Sequence, residues 1–320
     1  MSIFITGVAG FIGVNLAEVL LARDERVAGF DNFCRGSKAN LAALLAHPRF
    51  SFAELDLDDL AAYRSALEEL HRREPITEVW HLAANSDIPA GIADEQVDLR
   101  DTFMTTFNTL VLMRELGIGT LAFASSSAVY GDFGQLRLTE EHGPLEPISN
   151  YGAMKLASEA MISAALESHL GRALVFRFPN VIGVPATHGV IQDFIRKLKA
   201  TPHRLEVLGN GTQQKSYLHV DELIEAMLLI RDRDPGKLCC YNVGADDEGI
   251  TVRFIAETVR DRVAPAAEIC YGEGNRGWVG DVPKFVYSID KLKALGWRPR
   301  LGSAEAVRRA VEQIFEQESR

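Results

Sequence analysis

The chain of 320 residues has few cysteines, no long apolar run and no excess of basic residues. Its four cysteines, Cys34, Cys239, Cys240 and Cys270, do not have the spacing of a metal-binding motif, so we predict no metal site and no structural disulfide. The longest apolar runs are much shorter than a membrane span requires. A net charge of −10 also argues against a nucleic acid as partner, because nucleic-acid-binding proteins present basic surfaces.

The start of the chain shows no export signal. Met1 and Ser2 lead directly into an apolar stretch that we expect to form a strand. Together with the absence of a disulfide pattern, this favours the cytoplasm. Hydrophobic residues make up 47% of the chain and there is no low-complexity tract, so we expect a packed globular protein with one large domain or two unequal ones.

A glycine-rich segment joins the first predicted strand to the first predicted helix. It reads Thr6-Gly7-Val8-Ala9-Gly10-Phe11-Ile12-Gly13, and an apolar helical pattern follows it. Glycines at these three positions allow a tight turn, a close approach of the backbone to a pyrophosphate, and close packing of helix on strand. Free N–H groups at the helix start then face the anion. The segment predicts a dinucleotide-binding turn, and the alternative is a glycine-rich turn in another kind of α/β protein.

The second predicted strand ends in Asp31, about 20 residues after the glycine turn. A carboxylate at this point suits the diol of a ribose and repels a 2′-phosphate, so NAD is favoured over NADP. Arg35 and Lys38 follow closely and could still meet a phosphate. NAD is therefore the predicted cofactor.

Further predicted strands alternate with predicted helices along the first half of the chain. The strands cover residues 3–5, 26–30, 50–55, 78–82, 120–124 and 174–178, and the helices lie near 39–46, 58–73, 94–116 and 151–170. This alternation predicts an α/β fold, a Rossmann-type doubly wound parallel sheet with ligands at the carboxyl ends of its strands. Small or polar residues follow those ends, among them Asp56, Ala83, Ala84, Ser126 and Asn180.

Tyr151 and Lys155 lie four residues apart at the start of a predicted helix, so both side chains lie on one helix face. A cation beside a phenol favours the phenolate, whose ordinary pKa of about 10 is too high for base work near neutral pH. Many amphipathic helices carry such a pair by chance. The pair gains weight from the glycine turn that precedes it in the chain.

The motifs taken together resemble the extended short-chain dehydrogenase/reductases. Within them the chain is most similar to the NAD-dependent nucleotide-sugar epimerases and dehydratases, with UDP-hexose 4-epimerases nearest. The resemblance covers nearly the whole chain and rests on residues 6–13, Asp31, 125–131 and 151–155, with later matches at 177–183, 208–213, 217–221 and 241–244.

The resemblance implies roles for individual residues. Tyr151 would be the catalytic base and acid, Lys155 would bind the nicotinamide ribose and lower the pKa of Tyr151, and Ser126 would bind the reacting hydroxyl. The implied cofactor contacts are Gly7, Ala9, Gly10, Phe11, Ile12, Gly13, Asp31, Asn32, Asp56, Leu57, Leu82, Ala83, Ala84, Tyr151, Lys155 and Phe178. The implied substrate contacts are Ser126, Ser127, Asn180, Val190, Lys215, Tyr217, Arg276 and Asp281.

The resemblance also implies an organisation into domains and subunits. Residues 1–180 would form the NAD-binding domain, with 217–248 returning to it, and 181–320 would mainly form a smaller nucleotide-sugar domain, with the active site between them. A homodimer would form through the helices near 94–116 and 151–170. Apolar residues beyond one buried stripe support that face: Phe103, Met104, Phe107, Leu110 and Met113.

Two positions after Ser126 distinguish the reactions of the family. Dehydratases carry an Asp-Glu pair directly after the catalytic hydroxyl residue, and decarboxylases carry a glutamate before the Val-Tyr-Gly motif. Here Ser127 and Ala128 occupy these positions, and neither is a carboxylate. We therefore predict an epimerase that inverts C4 of a UDP-hexose, such as UDP-glucose, UDP-galactose or UDP-glucuronate, through a 4-keto intermediate. The alternatives are a 4,6-dehydratase or decarboxylase, a net NAD-dependent dehydrogenase or reductase, and a non-catalytic NAD-sensing protein.

Overall fold

The structure of the protein, a computed structural model, describes residues 1–134, 136–275, 277, 282 and 284–319. The chain divides into two compact units, each built from several segments. The first unit consists of Met1–Val129, Ser149–Arg177 and Met227–Tyr241. The second unit consists of Tyr130–Ile148, Phe178–Ala226 and Asn242–Arg320.

The strands and helices alternate through much of the chain. The strands are β1 (Ser2–Thr6), β2 (Val27–Asp31), β3 (Phe50–Glu54), β4 (Ile76–His81), β5 (Thr120–Ser126), β6 (Arg137–Leu138), β7 (Arg172–Phe178), β8 (Asn180–Ile182), β9 (Arg204–Val207), β10 (Gln214–Lys215), β11 (Tyr217–His219), β12 (Leu238–Asn242), β13 (Ile250–Thr251), β14 (Glu268–Tyr271) and β15 (Val286–Tyr287). The α-helices are α1 (Phe11–Ala22), α2 (Ala42–Leu45), α3 (Leu60–Arg73), α4 (Ile88–Ala93), α5 (Glu95–Asp98), α6 (Thr105–Leu116), α7 (Asn150–Ser168), α8 (Val190–Ala200), α9 (Val220–Arg233), α10 (Val252–Val263), α11 (Asp290–Ala294) and α12 (Ser303–Gln317).

A seven-stranded sheet forms the centre of the first unit. Its strand order is β12-β7-β5-β4-β1-β2-β3, and the pairings from β3 through β2, β1 and β4 to β5 are parallel. Strand order reverses on either side of β1, so β2 and β4 leave a crevice above the carboxyl end of β1. This arrangement confirms the predicted doubly wound α/β fold.

The helices of the first unit begin and end where local sequence signals favour it. The Asp59 carboxylate accepts hydrogen bonds from the N–H groups of Ala61 and Ala62, which caps α3. The Ser149 hydroxyl accepts from Gly152 N, which caps α7 and starts that helix one residue before Tyr151. Gly117 has φ +68° and ends α6 in the left-handed conformation that glycine adopts without strain.

The helix predicted over 94–116 is not a single α-helix. The chain forms α5, then a π-helical segment over Leu99–Met104, and then α6. A π turn is wider than the 3.6-residue turn of an α-helix. The apolar pattern, which is matched to the α-helical period, could not reveal it. The helix predicted near 39–46 is also shorter, because only Ala42–Leu45 is helical.

The core of the first unit lies on the sheet. Side chains from β1, β4 and β5 pack there with residues of α3, α6 and α7, and the cluster includes Phe4, Tyr63, Val79, Phe123 and Ile162. Leu110 and Met113 also belong to this core. These two residues were expected to lie outside the buried stripe of α6, and the structure corrects that expectation.

The second unit has small sheets and a separate apolar core. Its two-stranded sheets pair β11 with β8, β14 with β9, β10 with β13 and β15 with β6. Strand β11 therefore pairs inside the second unit, whereas β12 joins the large sheet. The core of the second unit contains residues of α8, α10 and α12, including Phe194, Ile255 and Ile314.

The described residues contain no helix that is long and apolar enough to span a membrane. All four cysteines are free thiols, and only Cys34 is exposed. Within the described part of the chain, no three histidine, cysteine or carboxylate side chains are grouped to hold a metal ion.

Candidate active site

The glycine turn between β1 and α1 is closely packed against the backbone. Gly7 has φ +70°, and a Cβ there would lie 2.9 Å from the N atom of Ala83. A Cβ at Gly13 would lie 2.3 Å from the carbonyl oxygen of Gly7. Both distances are too short for a side chain, so glycine is required at each position. The first turn of α1 has no side-chain cap and no acidic residue, which leaves it suited to an anion.

Asp31, at the end of β2, faces this turn. Its Oδ2 accepts a hydrogen bond from Ala9 N at 2.9 Å, and its Oδ1 accepts from Phe33 N at 2.7 Å. Burial raises the pKa of the Asp31 carboxyl above its usual value, and these backbone N–H groups oppose that rise. These bonds fix the Asp31 carboxylate, which is predicted to bind the ribose, beside the glycine turn.

The two cations near Asp31 are each paired with a carboxylate. Arg35 Nη2 lies 2.6 Å from Asp87 Oδ2, and Lys38 Nζ lies 3.0 Å from Glu54 Oε2. A 2′-phosphate would have to compete with these carboxylates for either cation. The pairing favours NAD over NADP, as the sequence predicts.

The predicted adenine-side residues lie at the ends of β2 and β3. Asn32 donates from Nδ2 to Asp56 Oδ2 at 3.1 Å, so the structure brings these two predicted residues together. Leu57 is different, because its side chain belongs to the core of the first unit. Any contact that Leu57 makes with a cofactor would come from its backbone.

The carboxyl end of β4 is held against β1 by the Thr6 hydroxyl. Thr6 Oγ1 accepts hydrogen bonds from Leu82 N at 3.1 Å and Ala83 N at 3.2 Å, and lies 2.8 Å from His81 Nδ1. Burial and the charge of Lys155 lower the pKa of His81 to about 3, so its ring is neutral. These contacts position the predicted cofactor residues Leu82, Ala83 and Ala84. Sequence reasoning did not identify Thr6 or His81.

Ser126, Tyr151 and Lys155 come together where β5 meets α7. The Ser126 side chain lies close enough to Tyr151 to lower the pKa of its hydroxyl. Lys155 Nζ donates to the carbonyl oxygen of Ala124 at 2.6 Å and lies 5.8 Å from the centre of the Tyr151 ring. The helical spacing predicted from the sequence places the phenol and the ammonium on one face of α7, as expected.

The acidity of Tyr151 differs from the expectation. Burial raises the pKa of Tyr151 to about 12, the hydrogen bond from Ser126 lowers it, and the charge of Asp98 raises it. Burial also lowers the pKa of Lys155 to about 7, so its ammonium is only partly charged near neutral pH. In the protein alone, loss of hydration therefore outweighs the help that a cation gives to the phenolate.

A buried ion pair lies one helical turn beyond Lys155. Glu159 accepts two hydrogen bonds from Arg177, at 3.0 Å from Nε and 2.6 Å from Nη2, and a third from the Ser125 hydroxyl. Both side chains of the ion pair are nearly buried, 8% and 11% exposed. Residues 151, 155 and 159 thus form a row along α7. The spacing of four could have revealed Glu159, but its partner Arg177 on β7 could not be assigned from sequence.

Ser127 and Ala128 follow Ser126 in a single 3-10 turn that spans Ser127–Val129. Ala128 N donates to Ser126 Oγ at 3.2 Å, which helps to fix the serine. Asp87, a carboxylate that could replace a missing acid, caps α4 through Ala90 N and pairs with Arg35. The Asp87 carboxylate therefore has a structural role at the start of α4.

Several predicted substrate residues lie in the second unit. Asn180 on β8 is opposite Tyr217 on β11 in the parallel pairing, and Lys215 comes two residues before Tyr217. Val190 starts α8 and packs on the same apolar core as Tyr217. Phe178 is the last residue of β7. Arg276 and Asp281 lie outside the described residues.

The fold and the glycine turn define a dinucleotide-binding α/β protein, and the family follows from comparison with known sequences. A sequence model of the NAD dependent epimerase/dehydratase family matches residues 3–244. The chain belongs to this family, and NAD is its cofactor.

Individual relatives agree with this assignment. A crystal structure of a UDP-galactose 4-epimerase is 34% identical, with a TM-score of 0.86 over 99% of this chain and 99% of that chain. The UDP-glucose 4-epimerase of Thermus thermophilus, solved in complex with NAD, is 31% identical, with a TM-score of 0.84 over 98% of this chain and 99% of that chain. UDP-glucuronic acid decarboxylase 1 of Arabidopsis thaliana is 26% identical over 97% of this chain and 69% of its own length. Both epimerases and a decarboxylase are thus among the relatives.

The residues of the first unit fit NAD. The glycine turn leaves no room for side chains, the start of α1 is uncapped, and Asp31 is fixed at the end of the neighbouring strand. We expect Gly7, Gly10 and Gly13 to hold the diphosphate and Asp31 to hold the adenosine ribose. Lys155 and Tyr151 would hold the nicotinamide end.

Replacing Gly13 with alanine should weaken NAD binding about tenfold or more, because the new Cβ collides with the Gly7 carbonyl and strains the turn. Gly119→Ala is the matched control, since a Cβ at Gly119 has no neighbour closer than 3.8 Å. Calorimetric titration of nucleotide-free protein with NAD measures both. Equal affinity of the two variants would contradict the assigned role of the turn.

Proposed function

We propose that the protein is an NAD-dependent epimerase that inverts C4 of a UDP-hexose, such as UDP-glucose or UDP-galactose, through a transient 4-keto sugar. The observation that carries this proposal is the buried Lys155 beside Tyr151, with Nζ 5.8 Å from the centre of the phenol ring and Ser126 close enough to lower the pKa of that phenol. The likeness to the structures of a UDP-galactose 4-epimerase and a UDP-glucose 4-epimerase, at 34% and 31% identity, supports it. The cytoplasm remains our proposal for its location.

Each residue of this group has a task at a particular atom. The Tyr151 hydroxyl, as phenolate, takes the proton from the sugar 4-hydroxyl and later returns it. Ser126 Oγ orients that hydroxyl and the phenol. Lys155 supplies positive charge that stabilises the phenolate. Bound NAD would supply a reversible acceptor for the hydride of C4 and would not be consumed.

Epimerisation is favoured over elimination because the acids of elimination are missing at their usual positions. Ser127 and Ala128 stand where dehydratases and decarboxylases carry carboxylates. Removing the C5 proton and expelling the 6-hydroxyl each need a positioned proton carrier, worth roughly 10²–10⁴-fold in rate. Asp87 is engaged with Arg35 and with the start of α4. Tyr151 is committed at the 4-hydroxyl.

Decarboxylation of UDP-glucuronate is the second candidate. A 4-keto acid loses carbon dioxide more easily than a 4-keto alcohol loses water, and a UDP-glucuronic acid decarboxylase is among the relatives.

In the second unit, Asn180, Lys215 and Tyr217 would contact the nucleotide sugar. Lys215 replaces the arginine common in the family, and an ammonium cannot make the two parallel bonds of a guanidinium to a phosphate.

Products from three separate substrates should separate these reactions. With UDP-glucose, UDP-N-acetylglucosamine and UDP-glucuronate, we expect that any sugar that is turned over returns as its C4 epimer, since Ser127 and Ala128 offer no acid for elimination. Proton NMR identifies each product directly, and no NAD need be added if it stays bound. A 4-keto-6-deoxy sugar or a pentose as the main product would refute the assignment of reaction type. A need for added stoichiometric NAD would instead indicate a net dehydrogenase.

Tyr151→Phe should lose at least about 100-fold in turnover, because the phenol is the proton carrier at the 4-hydroxyl. NAD binding should remain close to normal. Tyr63→Phe is the control, since the Tyr63 hydroxyl lies in the core, 3.1 Å from Thr109 Oγ1. Initial rates and NAD titrations are measured on all three proteins. Unchanged turnover of Tyr151→Phe would favour a non-catalytic NAD-binding protein.

We also propose a homodimer formed through the helices near 94–116 and 151–170. In the first of these, Leu99 is 46% exposed, and Phe103, Met104 and Phe107 are only partly buried. We expect a dimer at micromolar concentration by sedimentation velocity and a weaker dimer for Leu99→Asp. Leu45→Asp is the control, because Leu45 is 54% exposed on α2. A monomeric wild-type protein would remove this proposal.

A further inference from the structure

Asp98, the last residue of α5, has a carboxylate that is buried and incompletely satisfied. Its side chain has no exposed surface. Oδ1 accepts a hydrogen bond from Asn85 Nδ2 at 2.9 Å. Oδ2 is buried and has no hydrogen-bond partner among the residues that the structure describes. A buried carboxylate oxygen without a donor is unfavourable, so the residue calls for an explanation other than stability.

The packing of Gly91 links this carboxylate to the start of α7. A Cβ at Gly91 would lie 1.7 Å from Asp98 Oδ2, so only glycine allows α4 to cover the carboxylate this closely. The carbonyl oxygen of the same glycine accepts a hydrogen bond from Asn150 Nδ2 at 2.8 Å. Asn150 is the first residue of α7 and directly precedes Tyr151. Asp98 is therefore held close to the end of α7 that carries the tyrosine and the lysine.

Most other charged groups around Lys155 have a partner of opposite charge or are neutral. On α7 itself, Glu159 is paired with Arg177 of β7, and its charge still raises the pKa of Lys155. On β4, His81 is neutral. Near Asp98, Asp87 pairs with Arg35, and Asp101 pairs with Arg100. Asp98 has only the neutral Asn85 amide as a hydrogen-bond donor among the described residues.

We propose that Asp98 is a positioning residue for Tyr151 and Lys155, and that its buried carboxylate adds negative charge at the start of α7 that favours the protonated form of Lys155 beside the phenol. The proposal deepens the proposed function, because it concerns the groups that would move the proton of the sugar. It does not depend on which sugar is used.

The charge of Asp98 acts in the same direction on both partners. It raises the pKa of Lys155 and it raises the pKa of Tyr151. A neutral residue in its place should therefore lower both. The active form has Tyr151 deprotonated and Lys155 protonated, so the acid limb of the pH profile reports Tyr151 and the alkaline limb reports Lys155. Both limbs should therefore move to lower pH together. Loss of a structural contact would instead lower the rate without moving the limbs.

Asp98→Asn tests this with little change in shape, since the amide oxygen can still accept from Asn85. Glu95→Gln is the matched control, because Glu95 is an exposed carboxylate on the same short helix. The first measurement is an NMR titration of Lys155 in protein with isotope-labelled lysine, without NAD or sugar. Its signal is assigned by its loss in Lys155→Met. The second is the pH dependence of kcat for the sugar that the wild-type protein turns over.

The expected result is that the pKa of Lys155, about 7 in the wild-type protein, falls by about one unit in Asp98→Asn and is unchanged in Glu95→Gln. Both limbs of the kcat profile should shift to lower pH by a similar amount. An unchanged Lys155 titration in folded Asp98→Asn would overturn the proposal. A shifted titration in a protein that epimerises no sugar would refute the proposed function and leave the role of Asp98 standing.

If Asp98→Asn fails to fold, the wild-type protein still decides the matter. NMR titration with isotope-labelled aspartate follows the Asp98 carboxyl itself. The proposal requires this carboxyl to be ionised throughout the pH range in which Lys155 titrates. An Asp98 that remains protonated at neutral pH carries no charge to share, and the proposal would be wrong.

Discussion

The burial of one ammonium group governs the arrangement of the first unit. Lys155 is 2% exposed, and a lysine removed from water tends to lose its proton. The protonated form is stabilised by the Ala124 carbonyl oxygen near the end of β5 and by the aromatic face of Phe123 at 4.8 Å. The charges of Glu159 and Asp98 also favour it. These groups belong to β5, to α5 and to α7 itself. Helix α7 therefore has to pack against both the sheet and α5, so that Lys155 lies near these groups.

The glycine turn imposes a second constraint, which concerns space instead of charge. Gly7 lies against the backbone of Ala83, and Gly13 lies against the carbonyl of Gly7. The Thr6 hydroxyl binds the backbone N–H groups of Leu82 and Ala83 and so holds β4 at this distance. The result is a narrow crevice lined by backbone at the carboxyl ends of β1 and β4. A side chain at Gly7 or Gly13 would fill this crevice, so its shape depends on these two glycines and on the Thr6 hydroxyl.

Most of the fold of the first unit could be predicted, because it depends on local patterns. Apolar strands, a glycine turn at a fixed position and helices with clear caps leave few arrangements of a parallel sheet. The π-helical segment at Leu99–Met104 could not be predicted, since a single wider turn leaves composition unchanged. The two-stranded sheets of the second unit pair residues far apart in the chain, such as β8 with β11, and carry no local signal.

The candidate site was predictable where its residues share one element and unpredictable where they do not. The spacing of Tyr151 and Lys155 predicts that they share one helix face, and Ser126 was assigned through the resemblance to the family. Thr6, His81, Asp98 and Arg177 reach the same neighbourhood from four separate segments. The pKa of Tyr151 was expected to fall, but burial raises it, and burial depends on packing that a linear sequence does not specify.

The ion pairs of Arg35 and Lys38 have a consequence for any redesign of cofactor preference. Replacing Asp31 alone would remove a repulsive charge, but the two nearby cations would remain bound to Asp87 and Glu54. Asp87 also caps α4, so releasing Arg35 by mutation would loosen the helix that covers Asp98. Changes at these positions would therefore not be additive. A mutation that changes cofactor preference at Asp87 would also disturb α4, which covers Asp98. Cofactor choice and catalysis would therefore have to be optimised together.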